Sequence, residues 1–135
     1  MADSIKGILW LVPTTGQETL PAGRYSPAAH FHVTLQFSVA ESDWVQYIGK
    51  VADVVLESVA WNGDIEAIKV SILDTEIAAI CSNPIPHLTL SHREGIKPFL
   101  SNKMLEGDHQ QAILTNRETG TFHSIPMRVE FHRWG

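Results

Sequence analysis

Alternation of apolar and polar residues is the dominant pattern along the chain. Over residues 30–39, Phe31, Val33, Leu35 and Phe37 alternate with His30, His32, Thr34 and Gln36. This is the period of a strand with one face to the core and the other away from it. Over residues 86–93 the pattern returns: Leu88, Leu90 and His92 on one side, His87, Thr89, Ser91 and Arg93 on the other. Near the end, Met127, Val129 and Phe131 alternate with Arg128, Glu130 and His132, within a strand predicted over 120–134. Residues 5–12 are nearly continuously apolar, which predicts a central strand. Residues 51–61 and 65–73 are rich in β-branched types, and Asn62-Gly63 between them is a hairpin signal. A further short strand is predicted over 111–114.

Helix signals are few. Residues 40–49 open with acidic side chains and close on Gly49, which predicts one short helix. Residues 97–106 predict another, with Pro98 suited to a first turn. Residues 13–27 read as a loop and 81–86 as a turn carrying two prolines. Strands outnumber helices and the helices occur singly, so residues 1–135 form one α+β domain built on antiparallel sheet.

Composition narrows the class. The 135 residues are 44% hydrophobic and 19% charged, as in an ordinary globular domain. A formal net charge of -5 argues against binding long nucleic acid through phosphate neutralisation, while leaving room for a small nucleotide in a local pocket. Cys81 is the only cysteine, so no intramolecular disulfide forms. The apolar stretch 8–12 is too short for a signal core or a membrane span, and no basic region precedes it. The expectation is a cytoplasmic protein with no membrane partner.

The chemistry lies in two echoing pentads, Phe31-His32-Val33-Thr34-Leu35 and Pro86-His87-Leu88-Thr89-Leu90. The strand period puts His and Thr of each H-x-T triplet on one face, with apolar residues opposite. A single such triplet is unremarkable on a solvated strand. Two, 55 residues apart (87 − 32) and both followed by leucine, suggest the two halves of one site. Two imidazoles can divide acid–base work: a neutral ring takes a proton from the attacking oxygen and a protonated ring gives one to the leaving oxygen. Each threonine hydroxyl can stabilise a non-bridging phosphate oxygen. His109, His123 and His132 lack metal-ligand spacing with a cysteine, so no metal and no cofactor are expected.

On these triplets the sequence resembles the 2H phosphoesterase superfamily, which includes 2′,5′ RNA ligase-like proteins, cyclic phosphodiesterases and the phosphodiesterase domains of tRNA ligases. Residues 82–91, with Lys97-Pro98 and Ser101-Asn102 following, look similar to the tRNA-ligase branch. The resemblance implies catalytic roles for His32, Thr34, His87 and Thr89. It also implies a bilobal, pseudo-symmetric fold of antiparallel sheets with a few short helices and the active site in the cleft between lobes. The chain is short for the superfamily, which implies a trimmed lobe and a more open cleft. The implied substrates are nucleotides or short oligonucleotides with 2′,3′-cyclic phosphates or related diesters. Two alternatives stay open: hydrolysis of cyclic oligonucleotide or 2′,5′-oligoadenylate messengers, and a catalytically silent module that binds nucleotide or RNA ends. Oligomeric state is not legible.

Four other residues are candidate substrate binders. Arg24 and Tyr25 precede the first triplet, where a cation and an aromatic ring could hold a phosphate and stack on a base, or form an ordinary surface loop. Ser91 and Arg93 continue the face of His87 and Thr89 on the strand reading. His30 either supports the site or starts a strand. Ser101 and Asn102 read by residue type as a helix cap or turn, and a substrate role for them is implied by the resemblance alone. Trp10, Trp44, Trp61 and Trp134 read as core or sheet-face residues rather than base platforms.

Overall fold

The structure, a computed structural model, describes residues 6–14, 23–28, 31–97, 100–114 and 123–133. His30, Pro98 and Trp134 lie outside the described residues. The strands are β1 (Lys6–Pro13), β2 (Ser26–Pro27), β3 (Val33–Ala40), β4 (Val51–Trp61), β5 (Ile65–Ile72), β6 (His87–His92), β7 (Gln110–Ile113) and β8 (His123–Arg133). The helices are α1 (Thr75–Ala79) and α2 (Leu100–Glu106).

Every strand pairing is antiparallel, in the order β6-β3-β1-β8-β4-β5, and β5 pairs again with β6. Six strands therefore close into a barrel, which leaves those strands no open edge. β2 pairs with β6, and β7 with β4. The antiparallel sheet and short helices agree with the expectation; the closed barrel does not by itself show two lobes or a cleft between them.

The inward positions of the alternating runs fill the interior. Leu9, Leu11, Val33, Leu35, Val54, Leu56, Ile68, Leu88, Met127 and Val129 are all fully buried in one cluster. A barrel this narrow is packed with side chains and leaves no channel. A second, smaller cluster lies outside it: Met104 and Leu105 of α2 pack on Ala60, Ile65 and Ala67. That cluster fixes α2 to the outer surface of β4 and β5, beside β6.

Four local expectations are corrected. The helix expected over 40–49 is only a 3₁₀ turn, Glu41–Asp43; no side chain caps it, and the segment ends at Gly49 with φ of 96°, which a side chain would strain. Phe37 is exposed, because a register shift of β3 against β1 and the positive φ of Ser38 (57°) break the alternation there. The hairpin turn sits one residue later than Asn62-Gly63. Asn62 Oδ1 accepts from the amides of Asp64 (2.8 Å) and Ile65 (3.0 Å), so the asparagine braces the turn from outside. α1 was not expected; Asp74 caps it, accepting from the Ile77 amide at 3.0 Å.

Candidate active site

β3 and β6 meet at one registered pair, Val33 opposite Leu88. These are the apolar centres of the two triplets, and both are fully buried in the barrel core. His32 and Thr34 flank the crossing on one strand, His87 and Thr89 on the other. Since the centres point inward, the flanking residues turn to the outer surface. Residues 55 apart in sequence (87 − 32) are thus neighbours across a strand pair.

The two halves have different surroundings. His32 is half-buried, its ring centroid 4.3 Å from that of Trp10 and tilted by 40°. Trp10 lies between the core residues Leu9 and Leu11 and opposite Thr34, so it faces outward with the first triplet. Its other side stacks on His132, centroids 4.5 Å apart. Trp10 thus belongs to the surroundings of the first triplet, a role that its reading as a core or sheet-face residue did not suggest.

His87 and Thr89 are each only 8% exposed. His87 Nδ1 lies 2.7 Å from the Ile85 carbonyl. A carbonyl only accepts, so Nδ1 carries the proton; in the neutral ring Nε2 is then an acceptor. The Ser101 hydroxyl, 2.9 Å away on α2, donates to it. Thr89 Oγ1 is also 2.9 Å from Ser101 Oγ, and with the serine proton turned to His87 the threonine donates to the serine oxygen. Burial pushes the His87 pKa below the ordinary 6.5, with the bond to the Ile85 carbonyl pulling partly back. A neutral His87 at neutral pH follows. Beside it, a hollow of about 10 Å³ lined by Asn83, Ile85, His87, Asn102 and Leu105 has room for little more than one water.

Arg24, Tyr25, Ser91 and Arg93 converge on a different place. A register shift between β5 and β6 sets Ala67 opposite Thr89 but Glu66 opposite Ser91. The expected shared face of Thr89 and Ser91 is therefore broken: Thr89 turns to α2, while the Ser91 hydroxyl donates to Glu66 Oε1 at 2.8 Å. The buried Glu66 also accepts from the Arg24 amide at 2.7 Å and pairs with Arg24 Nε at 3.3 Å. The Arg24 guanidinium lies 3.6 Å from the Trp61 ring centroid. Tyr25 donates its hydroxyl to the Asn62 carbonyl at 2.6 Å. Arg93 lies over the Tyr25 ring and donates to the Gly63 carbonyl. Gly23 is required by this packing, since a Cβ there would come within 2.6 Å of Ser91 Cβ. These groups hold residues 23–25 against the barrel end and the 62–64 hairpin. A groove of about 510 Å³ at that end is lined by Tyr25, Trp61, Asn62 and His109 among others, and by none of the four triplet residues.

Sequence reading missed Glu66 and underrated Ser101. The signal for Glu66 was present as a lone acid in the apolar run Ile65-Glu66-Ala67-Ile68. For Ser101 the signal was its place in the stretch that resembles the tRNA-ligase branch; nothing in its local sequence points to β6. Among the described residues no three His, Cys, Asp or Glu side chains are grouped to hold a metal ion, and no helix is long and apolar enough to cross a membrane.

The family model for the fungal tRNA ligase phosphodiesterase domain matches residues 40–130. The chain belongs to that family, and through it to the 2H phosphoesterases. The match takes in His87 and Thr89 and begins after His32 and Thr34. Among solved structures, a crystal structure of a fungal RNA kinase superposes with a TM-score of 0.63 at 17% identity, covering 96% of this chain and 46% of that one. The likeness is one of fold, and this chain spans less than half the length of that protein. No curated protein sequence matches the chain. A phosphodiesterase-type domain is the assignment that the family match supports.

Proposed function

We propose that this domain hydrolyses 2′,3′-cyclic phosphates or related small phosphodiesters without a metal, by acid–base catalysis shared between His32 and His87. The observation that carries the reading is the crossing of β3 and β6 at Val33 and Leu88, the centres of the two H-x-T triplets. Membership of the tRNA ligase phosphodiesterase family favours a cyclic phosphate at an RNA end over a signalling messenger.

In the proposed reaction water attacks phosphorus in line with the departing ribose oxygen. One imidazole accepts the proton of the water as the new P–O bond forms. The other, protonated, donates its proton to the ribose oxygen as the old P–O bond breaks, and a phosphomonoester with one free ribose hydroxyl is left. Thr34 and Thr89 donate hydrogen bonds to the non-bridging oxygens, where charge builds up. His32 and His87 would stand on the order of 5–8 Å apart to reach oxygens on opposite sides of one phosphorus.

The deciding experiment is incubation with 2′,3′-cyclic mononucleotides, cyclic dinucleotides and 2′,5′-oligoadenylate in the presence of chelator. Turnover of the cyclic mononucleotides with chelator present is expected, with a bell-shaped pH profile because one histidine must be neutral and the other charged. Activity that vanishes with EDTA and returns with a divalent metal would refute the mechanism.

A further inference from the structure

α2 places one hydroxyl between the two polar groups of the second triplet. Ser101 Oγ is 2.9 Å from His87 Nε2 and 2.9 Å from Thr89 Oγ1. Those are the distances at which an oxygen that carries a proton, as an attacking water or the P–OH of inorganic phosphate does, would donate to the same nitrogen and accept from the same threonine. Nε2 is the only ring nitrogen available for proton transfer, since Nδ1 is held by the Ile85 carbonyl. An imidazole nitrogen presents a single in-plane direction for a hydrogen bond, and Ser101 fills it. Ser101 is 1% exposed, and Met104 and Leu105 on its helix are packed against Ala60, Ile65 and Ala67. The hollow of about 10 Å³ beside His87 cannot admit a phosphate group. Among the described residues, the Ser101 oxygen stands where a substrate oxygen would meet both His87 Nε2 and Thr89 Oγ1.

We propose that Ser101 is a place-holding residue of the second half-site: its hydroxyl occupies the position of the proton-bearing oxygen on which His87 acts, between His87 and Thr89, and a bound phosphate ligand displaces it. The proposal rests on the reading of function above, in taking a phosphate ester as the ligand. The device has a physical purpose. Two buried polar side chains with no occupant between them would each carry a desolvation penalty, and the serine satisfies both until substrate arrives. The same contact competes with the ligand, so observed affinity is lower than that of the open site. The burial that keeps His87 neutral is supplied in part by the same helix, so displacement also changes the surroundings in which His87 exchanges protons.

The test uses inorganic phosphate as the probe, with chelator present, and follows the His87 ring resonances by NMR in the wild type, Ser101→Ala and Ser101→Thr. Ser101→Ala is expected to bind phosphate about 3–10-fold more tightly, the scale of one neutral hydrogen bond released from competition. Ser101→Thr, which keeps the hydroxyl, is expected to stay close to the wild type. Unchanged or weaker binding by a folded Ser101→Ala protein overturns the proposal. If that variant does not fold, the wild type decides. Saturation with phosphate should move the Ser101 Cβ resonance together with the His87 ring signals, and a Ser101 signal that stays put while His87 shifts overturns displacement. In turnover, Ser101→Ala should lower KM without lowering kcat; a fall in kcat at constant KM would make Ser101 a proton-relay hydroxyl instead. Tighter phosphate binding without turnover of any phosphodiester would sink the reading of function and leave the displacement standing.

Discussion

The two H-x-T triplets have the same chemistry and nearly the same backbone, yet they occupy unlike surroundings. The first lies half-buried on the barrel surface, its histidine against the Trp10 indole. The second lies beneath α2, its histidine and threonine both bound to Ser101. Their apolar centres, Val33 and Leu88, do the same work in the core. What differs is the element laid over each outer face. Burial beneath α2 lowers the proton affinity of the His87 imidazole, and a difference in surroundings is one way in which paired groups divide acid from base.

The largest expected effect tests what the halves share. Leu88→Ala should cost about 2–5 kcal/mol of stability, and Val33→Ala somewhat less for its smaller side chain. Urea denaturation of both variants measures this, and a near-neutral Leu88→Ala would mean that the crossing is not the packed centre described. Next come the histidines. His32→Ala and His87→Ala should each lower kcat/KM for a cyclic mononucleotide by about 10²-fold or more. His87→Ala should in addition cost about 1–3 kcal/mol of stability, because Ser101 and the Ile85 carbonyl lose their partner in a buried place. Equal stability losses in the two variants would erase the contrast between the halves.

A pH series sharpens it further. The folded pKa of His87 is depressed, so below the ordinary value of 6.5 the unfolded chain takes up a proton that the folded chain refuses. The contribution of His87 to stability is therefore full above 6.5 and is lost as pH falls from there through its folded pKa. Urea midpoints between neutral and mildly acid pH should show that slope in the wild type and lose it in His87→Gln. The smallest effect concerns the other half. Trp10→Leu removes the tilted ring contact with His32 and the stack on His132, each worth about 0.5–1.5 kcal/mol. NMR titration should show the His32 ring signals changed and those of His87 unmoved; movement of both would couple the halves through the strand pair.

Alternation alone located β3, β6 and β8, and the apolar run located β1, because a period of two leaves no choice of which side chains face the core. The same rule put His and Thr of each triplet on one face. It failed where a backbone irregularity reset the period. Ser91 was assigned to the face of Thr89, but the register shift opposite Glu66 turned it to the buried carboxylate. Phe37 was assigned to the core, and Ser38 and the shift beside it turned it out. A bulge inserts one residue, and composition carries no mark of which residue is extra. The helix expected over 40–49 shrank to a turn without a capping side chain, whereas Asp74 does cap α1.

The sequence by itself determined that two H-x-T triplets lie on strands, each with its polar pair opposite a core residue, since that follows from chain geometry within five residues. Only the tertiary structure decided that β3 and β6 are neighbours, that the sheet closes into a barrel, and that α2 covers one triplet and not the other. Strand order and helix docking are set by how separate apolar faces bury one another. Ala60, Ile65, Ala67, Met104 and Leu105 come from three segments and meet in one cluster. No local pattern encodes that meeting, and it is what brings the Ser101 hydroxyl to His87.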